Sequence, residues 1–397
     1  MLSEEQYIKN RQKQAKKLTL KFKLMQVFPI KRKKIVVSTF EGDGGYCCNP
    51  RYIIEELLNR SSNYEIVWLT HDISRQFPEK IKVVKDTSWN IAYHLSTAHI
   101  WLDNYRKPLG TIKRKGQIYI QTWHASIGFK AVGLYRGDLF PKIARIVSKA
   151  DSDMIDYMII NSDYCERVYP KKLLYDGKML KVGSPRVDCL INKKEELHKL
   201  VRRQYDIGED VKLLLFAPTF RGGNQSGKKE VTNDIPSIDF EKVLNALFEK
   251  TGDKWKVLLR LHPQVSAKIS EMPLLEKNEN YIDVSQEPDI SEIMGGCDLV
   301  ITDYSSCAFD ALFAYIPVLL YADDVQEYIA NRGKFMWEKE ELPFLMAETN
   351  DELIKNIKLF CSDKYNLKIE SFVKMHGIKE IGCASKMVVD KIDILLA

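Results

Sequence analysis

Two of the seven histidines close short apolar runs. His124 ends Ile118-Tyr-Ile-Gln-Thr-Trp-His, and His262 ends Val257-Leu-Leu-Arg-Leu-His. Imidazole titrates near neutral pH, so a histidine at the mouth of a sheet suits proton transfer. Taken singly, each reads more readily as a polar loop residue bonded to nearby backbone. Matched placement in the two halves of the chain shifts the weight towards function. Lys130, Arg221 and Arg260 also stand at or just beyond strand ends, where they could neutralise a diphosphate. Their alternative is surface solvation. Arg260 is hardest to assign to solvent, because it lies inside an apolar run two residues before His262.

A third chemical feature is the stretch Asp298 to Asp310. Leu299-Val-Ile301 suits a buried parallel strand. Thr302-Asp-Tyr-Ser-Ser306 then forms a polar turn, and Ala308, Ala311, Leu312 and Tyr315 recur at helical spacing. In an open α/β sheet, ligands bind in such turns at the carboxyl ends of strands. Thr302, Ser305 and Ser306 are good N-cap residues, and hydroxyls beside free N–H groups can cradle a phosphate. The competing reading is that Ser305 and Ser306 merely cap the helix; spacing alone leaves the two even.

The elements that must position these groups repeat one grammar of strand, polar turn and helix. Strands are expected at Ile35–Ser38, Glu65–Leu69, Ile81–Val84, His99–Leu102, Ile118–Ile120, Tyr157–Asn161 and Leu180–Val182. After a charged helix, Glu195–Tyr205, the pattern restarts at Lys212–Phe216, Trp255–Leu261, Leu299–Ile301 and Val318–Tyr321. Helices are expected at Pro50–Leu58, Phe240–Lys250 and Asp289–Met294, with a helical C-terminal region. The stretch Gly222–Ser237 reads as a mobile loop. The glycine-rich turn Phe40–Gly45 lacks the GxGxxG spacing, so it is a weak nucleotide signal that could still face a cleft. The pattern predicts an α/β chain of two Rossmann-like, doubly wound domains facing across a cleft, 35–205 and 206–397.

Residues 1–34 hold 11 Lys+Arg and 2 Glu, a net +9, so the remainder of this +6 chain carries −3. The body is therefore no nucleic-acid binder by charge. Leu18, Phe22 and Met25 fit one helix face, while Leu18, Leu20, Phe22 and Leu24 also alternate like a strand. A basic amphipathic helix here would lie on an anionic membrane surface; the alternative is a helix packed on the body. Membrane contact is the favoured expectation. No run is long and apolar enough to span a bilayer, and no signal peptide is recognisable. The eight cysteines are scattered without a CxxC pair, which argues for free thiols in a reducing cytoplasm. No Asp/Glu/His cluster has metal spacing.

Read in order, Phe40-Glu41 with Asn49-Pro50, Gln121-Thr-Trp-His124, Gly183-Ser-Pro-Arg186-Val-Asp188 and Ala217-Pro-Thr219-Phe-Arg221 form a series. Arg260-Leu-His262-Pro263, Ile301-Thr302-Asp303-Tyr-Ser305-Ser306 and Tyr328–Gly333 complete it. The series resembles the CDP-glycerol glycerophosphotransferases, the teichoic-acid primases and polymerases. Each motif alone is weak; the ordered set, from about residue 35 to 340, is specific. Two departures stand out. Ala125-Ser-Ile-Gly-Phe-Lys130 replaces the family's usual Gly-Thr-Pro-Leu-Lys, and Phe220 replaces a common Trp. The first borders the presumed acceptor side, so it leaves the acceptor and the alditol open.

The resemblance implies a GT-B fold and a CDP-alditol donor. It implies that His124 and His262 are catalytic, with Arg260, Ser305 and Ser306 near the donor phosphates and Thr219, Arg221, Thr302 and Asp303 in the same donor motifs. Glu41, Lys130, Arg186 and Asp188 are further cleft candidates. The expected reaction moves glycerol phosphate or ribitol phosphate from the CDP-alditol to a hydroxyl of a lipid-linked cell-wall or capsule glycan, releasing CMP. No cofactor is required by the sequence, although magnesium can arrive with the diphosphate. The implied location is the cytoplasmic face of the cell membrane, peripherally bound, with room for a homo-oligomer. Two other readings stand beside this one. A GT-B glycosyltransferase would use a nucleotide sugar, and a non-catalytic scaffold would bind no nucleotide.

Overall fold

The computed structural model describes residues 3–60, 63–219, 237–261 and 279–396. His262, Arg221 and most of the stretch 222–237 lie outside the described residues. The chain divides into two compact units. The first comprises Met1–Ser126, Val132–Asp188 and Lys379–Ala397; the second comprises Ile127–Ala131 and Cys189–Ile378.

The first unit is built on seven parallel strands: β1 (Lys31–Ser38), β2 (Glu65–Thr70), β3 (Ile81–Lys85), β4 (Ala98–Asp103), β5 (Ile118–Gln121), β6 (Tyr157–Ile160) and β7 (Met179–Lys181). Their order is β3-β2-β1-β4-β5-β6-β7. Parallel strands are covered on both faces, so they read as continuous apolar runs. Ile35, Val37, Trp68, Ile100 and Leu102 pack on one side, and Val36, Val67, Trp101 and Tyr119 on the other.

The second unit carries β8 (Val211–Phe216), β9 (Lys254–Leu259), β10 (Tyr281–Asp283), β11 (Leu299–Thr302), β12 (Val318–Tyr321) and β13 (Leu345–Ala347). They run in the order β10-β9-β8-β11-β12-β13, all parallel. Both sheets therefore reverse direction of growth between their first and fourth strands in sequence. In the first sheet that point lies between β1 and β4, and in the second between β8 and β11. Such switch points open a crevice at the strands' carboxyl ends.

Three boundaries differ from the sequence expectation. The segment 1–34 is no separate appendage. Residues Glu4–Met25 form a helix whose Phe22 is fully buried, with Leu18 and Met25 packed on the same core. The basic run Lys31–Lys34 opens β1 rather than facing solvent throughout. Lys34 is buried, donates to Thr97 Oγ1 at 2.7 Å and lies over the Tyr93 ring. Its burial pushes the ammonium pKa down to about 8.

The charged helix, observed at Lys194–Gln204, belongs to the second unit, where Leu197 and Val201 pack on Gly295 and Gly296. The last helix, Ala384–Leu396, returns to the first unit and buries Val388, Val389 and Ile392 against its sheet. Asp188 fastens it: the backbone N–H groups of Ala384 and Ser385 donate to its two carboxylate oxygens at 2.9 and 2.7 Å. Asp188, a cleft candidate from the sequence, thus anchors this helix.

Candidate functional site

In the first unit the polar groups collect beside the β1/β4 switch point. His124 follows β5. Its Nδ1 lies 2.9 Å from the Asn104 carbonyl. A carbonyl can only accept, so Nδ1 carries the proton and the lone pair is left on Nε2. Tyr105 stacks on the ring at 5.5 Å, Trp123 stands 4.5 Å away, and Phe40 closes a third side at 5.3 Å. This enclosure pushes the imidazole pKa down to about 4, and the nearby Arg186, Arg106 and Lys172 cations add to the shift. His124 is therefore neutral at neutral pH, with Nε2 ready to accept a proton.

The backbone here is tightly specified. Trp123 has φ of 50°, a left-handed conformation costly for a bulky residue. Its N–H donates to Gln121 Oε1 at 2.9 Å, and its carbonyl accepts from Asn49 Nδ2 at 2.9 Å. Arg186 donates from Nη1 to the His124 carbonyl at 2.7 Å. The predicted candidate Arg186 thus serves the histidine's backbone.

Glu41 sits across the same switch point, on a turn where Phe40 and Glu41 both have positive φ. Phe40 N–H donates to Asn104 Oδ1 at 2.8 Å, which ties this turn to the end of β4. Burial raises the Glu41 carboxyl pKa; Asp103 adds to the shift, while Arg11 and Arg106 oppose it. Arg106 lies over the Trp123 ring at 5.0 Å, with its Nη2 buried and without a hydrogen-bond partner among the described residues. Asn104, Tyr105 and Arg106 gave no signal in the sequence, and Asn49 gave one only as part of the motif series, with no role attached. Strand order brings them to His124, and strand order is not written in local patterns.

In the second unit the polar turn after β11 sits at the β8/β11 switch point, beside Ala217–Thr219. Thr302 and Asp303 are fully buried. The Thr302 hydroxyl donates to the Ala217 carbonyl at 2.7 Å. Both Asp303 oxygens accept from the Thr219 N–H at 2.9 Å, and one also accepts from Tyr304 N–H. These two candidates weld the ends of β8 and β11 together. Ser305 and Ser306 remain half-exposed at the start of the helix Cys307–Phe313. Ser306 holds the N-cap position but makes no side-chain cap bond, and Ser305 Oγ accepts only a long 3.5 Å contact from Cys307 N–H. The Ser306 hydroxyl thus has no capping bond, while Ser305 makes a long one.

Lys130 belongs to this second unit and approaches Thr219 Oγ1 at 3.4 Å. It lies over the Tyr328 ring, which packs with Tyr304 and Phe335. Arg260 follows β9, one strand further out, and donates from Nη1 to the Val284 carbonyl at 3.0 Å. The catalytic candidate His262 and the donor candidate Arg221 lie outside the described residues. Among the described residues no group of three His, Cys, Asp or Glu side chains is placed to hold a metal ion.

Two Rossmann-like units with polar groups at their switch points are the parts of a GT-B-like transferase fold. The match to the wall teichoic acid polymerase TagF agrees: TM-score 0.80 at 25% identity over 98% of each chain. A histidine variant of TagF with CDPG matches at TM-score 0.79 and 26% identity. Residues 20–393 match the family described as CDP-Glycerol:Poly(glycerophosphate) glycerophosphotransferase, and the chain belongs to that family.

Among relatives, it is 29% identical over 384 residues to a teichoic acid poly(glycerol phosphate) polymerase of Bacillus subtilis, covering 94% of this chain and 50% of that protein. It is 30% identical over 377 residues to one of Staphylococcus epidermidis, covering 91% and 51%. A teichoic acid poly(ribitol-phosphate) polymerase of Bacillus spizizenii is 28% identical, with 94% and 58% covered. The chain spans about half the length of the first two relatives.

Proposed function

We propose that this chain transfers an alditol phosphate, glycerol phosphate or ribitol phosphate, from a CDP-alditol to a hydroxyl of a lipid-linked glycan, releasing CMP. Family membership supports the reaction class. The observation that carries the chemistry is His124, with Nδ1–H committed to the Asn104 carbonyl and Nε2 left as the acceptor. In the proposed step the acceptor hydroxyl attacks the phosphorus that bears the alditol. Its proton passes to Nε2. A new P–O bond forms, the bond between the alditol phosphorus and the bridging oxygen breaks, and CMP leaves with the electron pair.

On the donor side, Ser305, Ser306, Arg260 and Lys130 are proposed to meet the diphosphate, with Arg221 and His262 from the neighbouring motifs. Thr302 and Asp303 hold Thr219 in place for the same site. No resident metal is assigned, and magnesium enters only as the donor's counter-ion. Incubating the protein with a lipid-linked acceptor and CDP-glycerol, CDP-ribitol or a UDP-sugar tests the assignment. Mass gain by one alditol phosphate with CMP release supports it. Sugar transfer from UDP-sugar alone would identify a nucleotide-sugar glycosyltransferase, and no nucleotide binding at all would leave a scaffold.

The same proposal places the chain peripherally on the inner face of the cell membrane. No helix among the described residues is long and apolar enough to cross a membrane. The helix Glu4–Met25 buries Phe22 yet leaves Leu20 and Leu24 exposed, with Val27 and Phe28 just beyond it. Lys13 and Lys17 continue the Leu20–Leu24–Val27 stripe towards the amino end, as an anionic surface would require. Substituting Leu20 and Leu24 with Glu should release the protein from anionic vesicles and leave the fold intact, since neither side chain is buried. Undiminished pelleting would move the contact elsewhere. Another exposed apolar set, Leu134, Tyr135, Leu139 and Ile146, is followed or interleaved in sequence by Lys142, Arg145 and Lys149.

A further inference from the structure

Lys172 is a buried cation with no assigned role. It ends the helix Asp163–Lys172 and is 2% exposed. Among the described residues no carboxylate pairs with it. Its Nζ instead donates to two successive backbone carbonyls, Ala125 at 3.2 Å and Ser126 at 3.1 Å. These follow His124 directly. An ammonium without a counter-charge is costly to bury, and a methionine of similar length would fill the space without that cost. The charge is therefore retained for what it touches.

The carbonyls beside it are held in the same manner. Asn49 Nδ2 takes the carbonyls of Thr122 and Trp123, and Arg186 takes that of His124. Five consecutive carbonyls, 122 to 126, thus accept from three side chains on three different elements. The Cys165 thiol adds a second donor to the Ser126 carbonyl at 3.3 Å. The far side of the excursion is fixed on the same helix end. Gly133, with φ of 62°, lies so close that a Cβ there would stand 2.3 Å from the Lys172 carbonyl. The chain leaves the first unit after Ser126 and re-enters it at Val132, so one helix terminus grips both departure and return.

We propose that Lys172 is a positioning residue for His124: its ammonium clamps the Ala125–Ser126 backbone and so fixes the imidazole that accepts the acceptor's proton. The inference rests on the reading of His124 as the base. The charges of Arg186, Arg106 and Lys172 each disfavour protonation of the ring. Misplacing a reacting group by about 1 Å can cost about 100-fold in rate.

The test compares Lys172→Met and Lys172→Arg with wild type, using kcat, CDP-glycerol affinity and NMR of the ring-labelled histidines. His124→Gln identifies the His124 signals. Titration is kept below pH 7, because burial pushes the Lys172 pKa down to about 8. The expectation for Lys172→Met is a 10–100-fold fall in kcat with unchanged donor affinity. Its His124 pKa should rise, with loss of the single Nδ1–H tautomer, and Lys172→Arg should restore part of each. If Lys172→Met does not fold, Lys172→Gln decides by the same readouts. A folded variant with unchanged His124 titration and kcat within about twofold of wild type would overturn the proposal, as would donor affinity lost in proportion to kcat. If wild type transfers no alditol phosphate and the Lys172 variant still shifts the His124 titration, the proposed reaction fails and the positioning role stands.

Discussion

The polar clusters at the two switch points are built by opposite strategies. Around His124 the groups that hold the ring and its backbone are already spent, and among the described residues only Asn104 Nδ2 and Arg106 Nη2 beside it are buried without a partner. One ring nitrogen is committed to the Asn104 carbonyl, the flanking carbonyls are taken by Asn49, Arg186 and Lys172, and aromatic rings close in on three sides. Around Ser305 and Ser306 the supporting groups are spent and the leading ones are not. Thr302 and Asp303 join two strand ends, while the Ser306 hydroxyl makes no cap bond. A base must be preset in tautomer and direction before substrate arrives, whereas a phosphate-binding turn must keep its donors for the ligand.

The comparison breaks first at His124. His124→Gln should lower transfer by about 10²–10⁴-fold, the usual worth of a general base, and leave CDP-alditol affinity near wild type. Single-turnover rates beside calorimetry read the two quantities separately. Lost donor affinity in this variant would mean that the His124 cluster also binds donor, and the division of labour would fail.

The second cluster should respond in the reverse sense. Arg260→Ala with Ser306→Ala removes a charged and a neutral donor from the proposed diphosphate site. At roughly 1.5–3 kcal/mol for a charged hydrogen bond, donor affinity should fall at least tenfold. The rate at saturating donor should fall less. A folded double variant that binds CDP-glycerol and CDP-ribitol as wild type does would remove the turn from the donor site.

How much of this was legible depended on distance along the chain. The longer parallel strands could be read because each is a continuous apolar run, as at Ile35–Val37 and Leu299–Ile301. The strands β10 and β13 span three residues each and were not read, whereas the equally short β7 was, because Leu180–Val182 leads directly into the Gly183-Ser-Pro turn. His124 was legible from its place after a strand. Of its orienting partners, Asn49 was legible only as part of a motif and Asn104 and Lys172 not at all, because they come from elements far apart in sequence. Lys34 was counted only within the +9 of residues 1–34, because pattern cannot foresee that it finds Thr97 and the Tyr93 ring.

Asp188 makes the same point and carries a smaller prediction. It was read as a cleft residue, yet it receives two N–H groups 196 and 197 residues away. Asp188→Ala strands both donors at the start of the last helix and should cost about 1–3 kcal/mol of stability. Asp188→Asn, which keeps one acceptor oxygen, should cost less. Equal melting temperatures for wild type and Asp188→Ala would mean that the helix is held by its apolar face alone.

The smallest expected effect is a shift in pH dependence. In the free protein enclosure holds the His124 pKa near 4. The acid limb of kcat/KM, which reports the free enzyme, should therefore lie well below neutrality, with little change from about pH 6 to 8. A diphosphate brought near the ring adds negative charge and favours the imidazolium, which raises the pKa. The acid limb of kcat, which reports the complex, should accordingly lie at higher pH than that of kcat/KM. That displacement also brings a weak base closer to the pKa at which proton transfer is efficient. Rate profiles over about pH 4–8, at limiting and at saturating donor, measure both limbs. Coincident limbs would mean that the donor charge does not reach His124, and a kcat limb on the acid side of the kcat/KM limb would reverse the sign of the argument.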